Sequence, residues 1–421
     1  MPRIPHGVRA GYAAGSFVTG AFGTVPGLLL LPYLTDGLAV PAAVAGLLVL
    51  APKAWDVLFN PVAGRISDRA GVRRPFLLRG GLATAALFAL LFAGPFTGAG
   101  AAVYVALVFL ACATAYAFFQ VPYVAMAAEI TDDYDERTRL MAWRMAFLAL
   151  AILLSGAGAP AVRDLVGYPG MGAAVAAVMV LGTAVVVAGT RGVPAARRVS
   201  TAASPRELLA AVRGSRPFRS LLAVFVVQAV GLGTMLAGVD YFARLVLGDR
   251  SWQPALFAGF VGPALLVMPL WQRVGRRRGK RFGLVAASLL FAVAVVGLLA
   301  SPVLPVGVVL ALMAVIGVGY AGMQVFPLAM LPDVITAEEE RAGATRAGLF
   351  SGVWTAGETL GLALGPGVYG LVLALGGYVA STDGSAVQSS GAVTAALLGF
   401  TAVPAVLAVV ALPLLREEIP R

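Results

Sequence analysis

The sequence is poor in the residues that soluble chemistry uses. Only 12% of its 421 residues are charged, about half the share of a soluble domain, too few to clothe a surface that faces water. A single cysteine, Cys112, lies inside an apolar run, so no disulfide framework exists. A single histidine, His6, precedes the first long apolar run. None is left inside the apolar runs for a metal site or a proton relay, and no nucleophile–base spacing suggests an enzyme. What is abundant is apolar: 60% of residues are hydrophobic and 51 are glycine. The expectation is an all-α integral membrane protein with no cofactor.

A membrane-crossing helix needs about 20 apolar residues. Twelve runs satisfy this, at roughly 11–35, 42–66, 75–94, 101–128, 139–160, 171–190, 219–246, 254–271, 282–301, 304–330, 347–373 and 391–415. The first is too long for a cleaved signal peptide and reads as a retained span. Lys and Arg outnumber Asp and Glu by 31 to 20. The surplus does not mark a nucleic-acid binder, because it is concentrated in every second connection: Arg65–Arg74, Arg137–Arg139, Arg197–Arg216 and Arg273–Arg281. The connections between are short and nearly uncharged, which sets both termini in the cytoplasm of a multi-pass protein of the cell inner membrane. The longest connection, about 191–218, divides the chain into an N-terminal six-span half (1–190) and a C-terminal one (219–421). Within it, Ser204-Pro205-Arg206-Glu207 could open a short amphipathic helix.

The halves resemble each other. A basic stretch follows span two (Gly64 to Arg74) and another follows span eight (Trp271 to Arg281). Ala128-Glu129-Ile130-Thr131 ends span four and Pro332-Asp333-Val334-Ile335 ends span ten. Such parallel repeats imply two bundles around a central path.

Ionisable side chains at membrane depth cost about 2.5–3.5 kcal/mol each on insertion scales and read as functional. Asp56 lies in span two, with Lys53 three residues earlier and Asn60 four later, so the three share a helix face. Lys53 reads as the counter-ion of Asp56, and a structural ion pair is the alternative. Glu358 lies near mid-depth in span eleven, with no basic neighbour in its own helix. It suits proton coupling, or else a neutral hydrogen bond, for example to Trp354. Arg144, near one end of span five, would meet a solute anion, Asp56 or Gln120, or would form a gate salt bridge with Glu129 or Asp132. Asp240 and Arg244 read as an i,i+4 pair facing the outer vestibule. The glycines between Gly361 and Gly370 read as close helix contacts.

The motif Gly64-x-x-x-Asp68-Arg69-x-Gly71-x-Arg73-Arg74 resembles the signature loop of the major facilitator superfamily, which implies two six-helix bundles and transport. Lys53-x-Trp55-Asp56-x-x-x-Asn60-Pro61-x-x-Gly64 is similar to the span-two motif of the glycoside–pentoside–hexuronide:cation symporters, the melibiose permease group. So are Val121-Pro122-Tyr123 with Glu129, Arg137 and Arg144, and Met330 to Ile335 continuing through Gly348 to Trp354. Sodium-coupled lysophospholipid symporters share the framework.

The departures from that group bear on chemistry. The resemblance implies a cation site with an aspartate at Asp56, an asparagine and a second aspartate, and a span-four threonine. This chain has Phe59, Asn60 and Ala117 there. Sodium prefers several hard oxygen ligands, whereas a proton needs one titratable carboxylate. The implied sugar ligands are replaced as well: Thr19 and Gly20 stand for a Lys-Asp pair, Gln120 for an aspartate, Val124 for a stacking tryptophan and Thr359 for a lysine.

The expected function is therefore secondary active transport, coupled to H+ rather than Na+, of a small organic, amphipathic or weakly polar solute. Asp56, Lys53, Asn60 and Glu358 are the coupling candidates. Thr19, Gln120, Tyr123, Arg144, Gln228, Gln324, Trp354 and Thr359 are the solute candidates, and Asp68, Arg69, Arg73, Glu129, Arg137, Asp333 and Arg341 the gating charges. A monomer in contact with membrane lipid, binding no nucleic acid, is expected. A sodium-coupled sugar or lysolipid symporter, a proton-driven exporter of a hydrophobic metabolite, and an uncoupled scramblase or receptor remain open.

Overall fold

A computed structural model of the chain describes residues 4–70, 72–131, 133–191, 213–342, 347–382 and 386–415. The segment opening at Ser204 lies outside the described residues, as do the side chains of Asp68 and Arg341. Each long apolar run is helical, because backbone polar groups in hydrocarbon must be satisfied within the segment itself. The chain divides into two compact units, Met1–Ala202 with Ala380–Ser385, and Ala203–Val379 with Ala386–Arg421.

The first unit holds α1 (His6–Ala14), α2 (Ser16–Asp36), α3 (Ala42–Ala70), α4 (Arg74–Leu91), α5 (Gly98–Ile130) and α6 (Tyr134–Gly189). The second holds α7 (Arg216–Tyr241), α8 (Gln253–Leu266), α9 (Met268–Arg278), α10 (Lys280–Gly297), α11 (Val306–Ala342), α12 (Ala347–Leu375), α13 (Ser390–Phe400) and α14 (Ala402–Ala411). Among the described residues ten helices are long and apolar enough to cross a membrane, with an eleventh if a pair bent by 48° counts as one span.

The difference from the twelve expected runs has two local causes. The connection expected over 161–170 shrinks to one non-helical residue, Gly167 (φ 74°, ψ 177°), inside a 56-residue element. That backbone region is essentially open to glycine alone. Without the break, α6 would run about 84 Å at about 1.5 Å per residue, against a hydrocarbon core of about 30 Å. The bent pair is α8 and α9, meeting at Val267. Pro269 has no N–H to return to the Leu265 carbonyl, which weakens the helix there.

The two units repeat one packing scheme. In the first, α2 and α1 pack on α6, α4 on α5 and α6, and α3 on α5. In the second, α7 packs on α12 and α14, α10 on α11 and α14, and α8 on α11. Small residues set the closest approaches. Gly11 of α1 lies against Gly189 of α6, and Gly365 of α12 against the backbone of Gly233 and Thr234 in α7. A side chain at Gly365 would meet fixed backbone there, whereas Gly23 has nothing within 4 Å. Gly365→Val is expected to destabilise the protein by about 1–3 kcal/mol through overpacking, read as a lower melting temperature in detergent, while Gly23→Ala should show no loss.

Candidate functional site

In the first unit α2, α3, α5 and α6 bring most of the candidates together. Thr19 donates to Gln120 Oε1 at 2.7 Å. The Tyr116 hydroxyl stands beside Thr19 and feels the charges of Asp56 and Arg144. Its ring stacks on buried Phe22, with centroids 4.0 Å apart. Lys53 Nζ lies 4.6 Å above the other aromatic partner here, the Phe22 ring itself. Lys53 and Asp56 form no ion pair within 4.0 Å, so the alternative of a structural ion pair does not form: the ammonium caps an aromatic face and acts on the carboxyl as a counter-charge through space. Asp56 is 6% exposed, and its Oδ1 is buried without a hydrogen-bond partner. Phe59, three residues on, stacks with Trp55 and meets Phe118 edge-on, with centroids 5.6 Å apart in both pairs. Trp55 Nε1 donates to Thr114 Oγ1 at 3.0 Å. Asn60 is half-buried on the same helix.

Tyr123 is fully buried. Its hydroxyl donates to the Tyr12 carbonyl at 2.9 Å and lies 3.1 Å from Ser16 Oγ. The Arg144 guanidinium sits 5.3 Å from the Tyr123 ring centroid, and its Nε is buried without a hydrogen-bond partner. The gate pairing of Arg144 with Glu129 does not form, because Glu129 is held by Arg73 at 2.9 Å; Asp132 lies outside the described residues.

In the second unit Glu358, Gln324, Tyr320, Gln228 and Phe225 line a cavity of about 10 Å³, room for about one water. Gln324 Nε2 donates to Tyr320 Oη at 2.8 Å, and Gln324 is the hydrogen-bonding neighbour of the Glu358 carboxyl. Gln228 Nε2 donates to Ser288 Oγ at 2.9 Å. Trp354 stacks on Phe225 at 4.4 Å, and its buried Nε1 has no partner. The alternative Glu358–Trp354 bond is thus replaced by Gln324. Thr359 follows Glu358 and is half-buried.

The gating candidates resolve into one pair per unit. Arg73 joins Glu129 and also donates to Ser67 Oγ at 2.9 Å. Lys280 joins Asp333 at 2.5 Å and donates to the Ala329 carbonyl at 2.9 Å. Arg137 donates to the Thr131 carbonyl at 3.0 Å, and Arg69 is exposed. Asp240 is fully buried rather than facing a vestibule. Arg250 Nε approaches it to 3.1 Å, and Arg244, the expected i,i+4 partner, to 3.8 Å.

Sequence reasoning missed Tyr116, Tyr320 and Lys280. A signal for the tyrosines was present: Tyr116-Ala117-x-x-Gln120-Val121 in α5 recurs as Tyr320-Ala321-x-x-Gln324-Val325 in α11. A tyrosine four residues before the glutamine lies on the glutamine's helix face. Lys280 occupies the place in the second repeat that Arg73 holds in the first.

Isolated polar groups thus lie on helices long and apolar enough to cross a membrane. The profile of the family described as MFS/sugar transport protein matches residues 11–417, and the chain belongs to that family. The "Uncharacterized symporter YnaJ" of Bacillus subtilis (strain 168) is 26% identical over 420 residues, covering 96% of this chain and 89% of its own. The glucuronide carrier protein homolog of Escherichia coli (strain K12) is 26% identical over 399 residues, covering 88% and 84%. The crystal structure of a bacterial homolog to the human lysosomal transporter Spinster, inward-facing and occupied, superposes with a TM-score of 0.75 at 13% identity, covering 97% of this chain and 94% of that one; it shares the fold. The protein is a multi-pass secondary transporter of the major facilitator superfamily, among symporter homologues, and not an enzyme.

The side chains of Arg73 and Glu129 are 10% and 9% exposed. Removing one partner of such a pair strands the other, at about 3–5 kcal/mol. Arg73→Met should lower the melting temperature markedly, and Arg73→Met/Glu129→Gln should recover most of the loss. An equal loss in Arg69→Met would contradict the assignment.

Proposed function

We propose that this transporter carries a small organic, amphipathic or weakly polar solute by alternating access, coupled to protons. One observation carries the coupling: Asp56 is a buried carboxyl inside a membrane-capable helix, with one oxygen unpartnered and no cation within ion-pair distance. Such a group in hydrocarbon is a functional site by default. Phe59 sits at the neighbouring position where the resemblance implies another polar ligand, and its ring is engaged by Trp55 and Phe118. That leaves Asp56 and the Asn60 amide, a donor set suited to a proton more than to sodium. Glu358, in its water-sized cavity, is the second proton site.

The solute is met in the first unit by Thr19, Gln120 and Arg144, with Tyr123 anchoring the guanidinium, and in the second by Gln228, which lines the Glu358 cavity, and by Trp354, which stacks on its wall residue Phe225. Thr19 and Gln120 already satisfy each other, which fits a solute with few hydroxyls. Arg73–Glu129 and Lys280–Asp333 open and close during the cycle.

The chain forms two six-helix bundles, 1–190 and 219–421, joined by a cytoplasmic connection. Splitting α6 at Gly167 and counting α8 with α9 as one supports twelve spans. The basic connections support cytoplasmic termini in the inner membrane. The protein works as a monomer in contact with lipid, without cofactor or nucleic acid.

Proteoliposomes test the coupling. A pH gradient should drive solute uptake and a sodium gradient should not, and Asp56→Asn should lose the pH-driven component while still binding solute. Uptake that follows sodium at fixed pH would overturn the proton assignment.

A further inference from the structure

A surface pocket of about 480 Å³ in the first unit is lined by Ile4, Pro5, His6, Arg9 and Arg139. Three of these residues are tied to Glu136, which is itself buried. That carboxylate accepts the Ile4 N–H at 3.1 Å, Arg9 Nη2 at 2.6 Å and Arg139 Nη1 at 2.9 Å. Among the described residues that line the pocket there are two arginines and no acid. Arg9 is 7% exposed, and its buried Nε has no hydrogen-bond partner. The pocket presents the guanidinium residues Arg9 and Arg139, and an oxyanion is the chemistry that answers them.

The surroundings set the depth. Trp143 lies one turn from Arg139 on α6, is 37% exposed, and meets His6 edge-on at 6.5 Å. Exposed tryptophan of this kind marks the membrane–water interface. From Trp143 the same face of α6 continues through Phe147, which contacts Trp143 and Phe17, to Leu150 and Leu154, 46% and 56% exposed. An apolar stripe thus leads from the cationic pocket along α6.

We infer that this pocket holds the phosphate of an anionic phospholipid, with an acyl chain laid along Trp143, Phe147, Leu150 and Leu154. A soluble phosphate would leave the stripe unused. A zwitterionic lipid would bring its own ammonium to a site that is already positive. Basic pockets between helices at the headgroup level are a known mode of lipid recognition. The inference depends on the membrane placement of the helices and not on the coupling ion or the solute.

Native mass spectrometry of the full chain, purified in detergent and titrated with phosphatidylglycerol or phosphatidylcholine, tests it. The Arg139 side chain is 55% exposed, and Arg9 still pairs with Glu136 in its absence, so Arg139→Gln should keep its melting temperature. That variant is expected to retain about fivefold less phosphatidylglycerol, while Arg277→Gln, an exposed arginine of the other unit, retains the wild-type amount. Equal losses in the two variants, or no loss in Arg139→Gln, would overturn the site. Equal retention of phosphatidylcholine, or displacement of phosphatidylglycerol by millimolar inorganic phosphate, would overturn the lipid assignment.

Discussion

A carboxylate among hydrocarbon needs a partner, either a cation or a proton, because its desolvation is otherwise uncompensated. This constraint sorts the buried acids of the protein. Glu129, Glu136 and Asp240 stand near helix ends and are each held by arginine, and the part-exposed Asp333 is held by Lys280. Asp56 and Glu358 stand inside helices and have no cation within ion-pair distance among the described residues. Tyr116 stands near Asp56, whose nearest cation, Lys53, acts through space, and Gln324 and Tyr320 stand near Glu358.

The repeat adds a second distinction. Packing partners recur between the units, and so do the end ion pair and the Tyr-Ala-x-x-Gln-Val stretch. The interior acids do not recur. Asp56 belongs to α3, whose counterpart in the second unit, the α8–α9 pair, carries no acid. Glu358 belongs to α12, whose counterpart α6 carries Arg144 instead. What both units share is the helix packing and the ion pair, and what each has alone is its interior charge. Gln120 shows how neighbours separate equivalent residues: it is taken by Thr19, whereas Gln324 is turned to Tyr320 and Glu358.

Much of the fold was legible in the sequence, since apolar runs of spanning length must be helical in lipid and basic connections mark one side. The interruptions were harder. Gly167 ends one helix and begins the next with a single residue, and a window of hydropathy cannot see a positive φ. Pro269 does announce a bend, yet Pro26, Pro32 and Pro122 lie inside helices that continue past them, because neighbouring helices and side chains satisfy the freed groups. Within the candidate site, Asp56, Glu358, Arg144 and Gln120 stood out as polar residues in apolar runs. Tyr116 and Tyr320 did not, since an aromatic residue in a membrane helix is ordinary until its hydroxyl is seen beside a carboxyl or an amide.

By itself the sequence determined the class of protein, its helices and the small set of polar residues that could matter, because hydropathy, charge placement and loop motifs are local properties of the chain. Only the tertiary structure decided partnership. It gave Arg73 to Glu129 and Lys280 to Asp333, set Lys53 over Phe22 instead of against Asp56, and enclosed Glu358 with Gln324 in a space for one water. It also brought Arg9 to Glu136 and Arg139, more than a hundred residues further along the chain. The physical reason is that an ion pair or an unmet donor depends on distances of a few ångströms between helices. Spacing along a single helix sets which face a residue occupies, but not what another helix brings to that face.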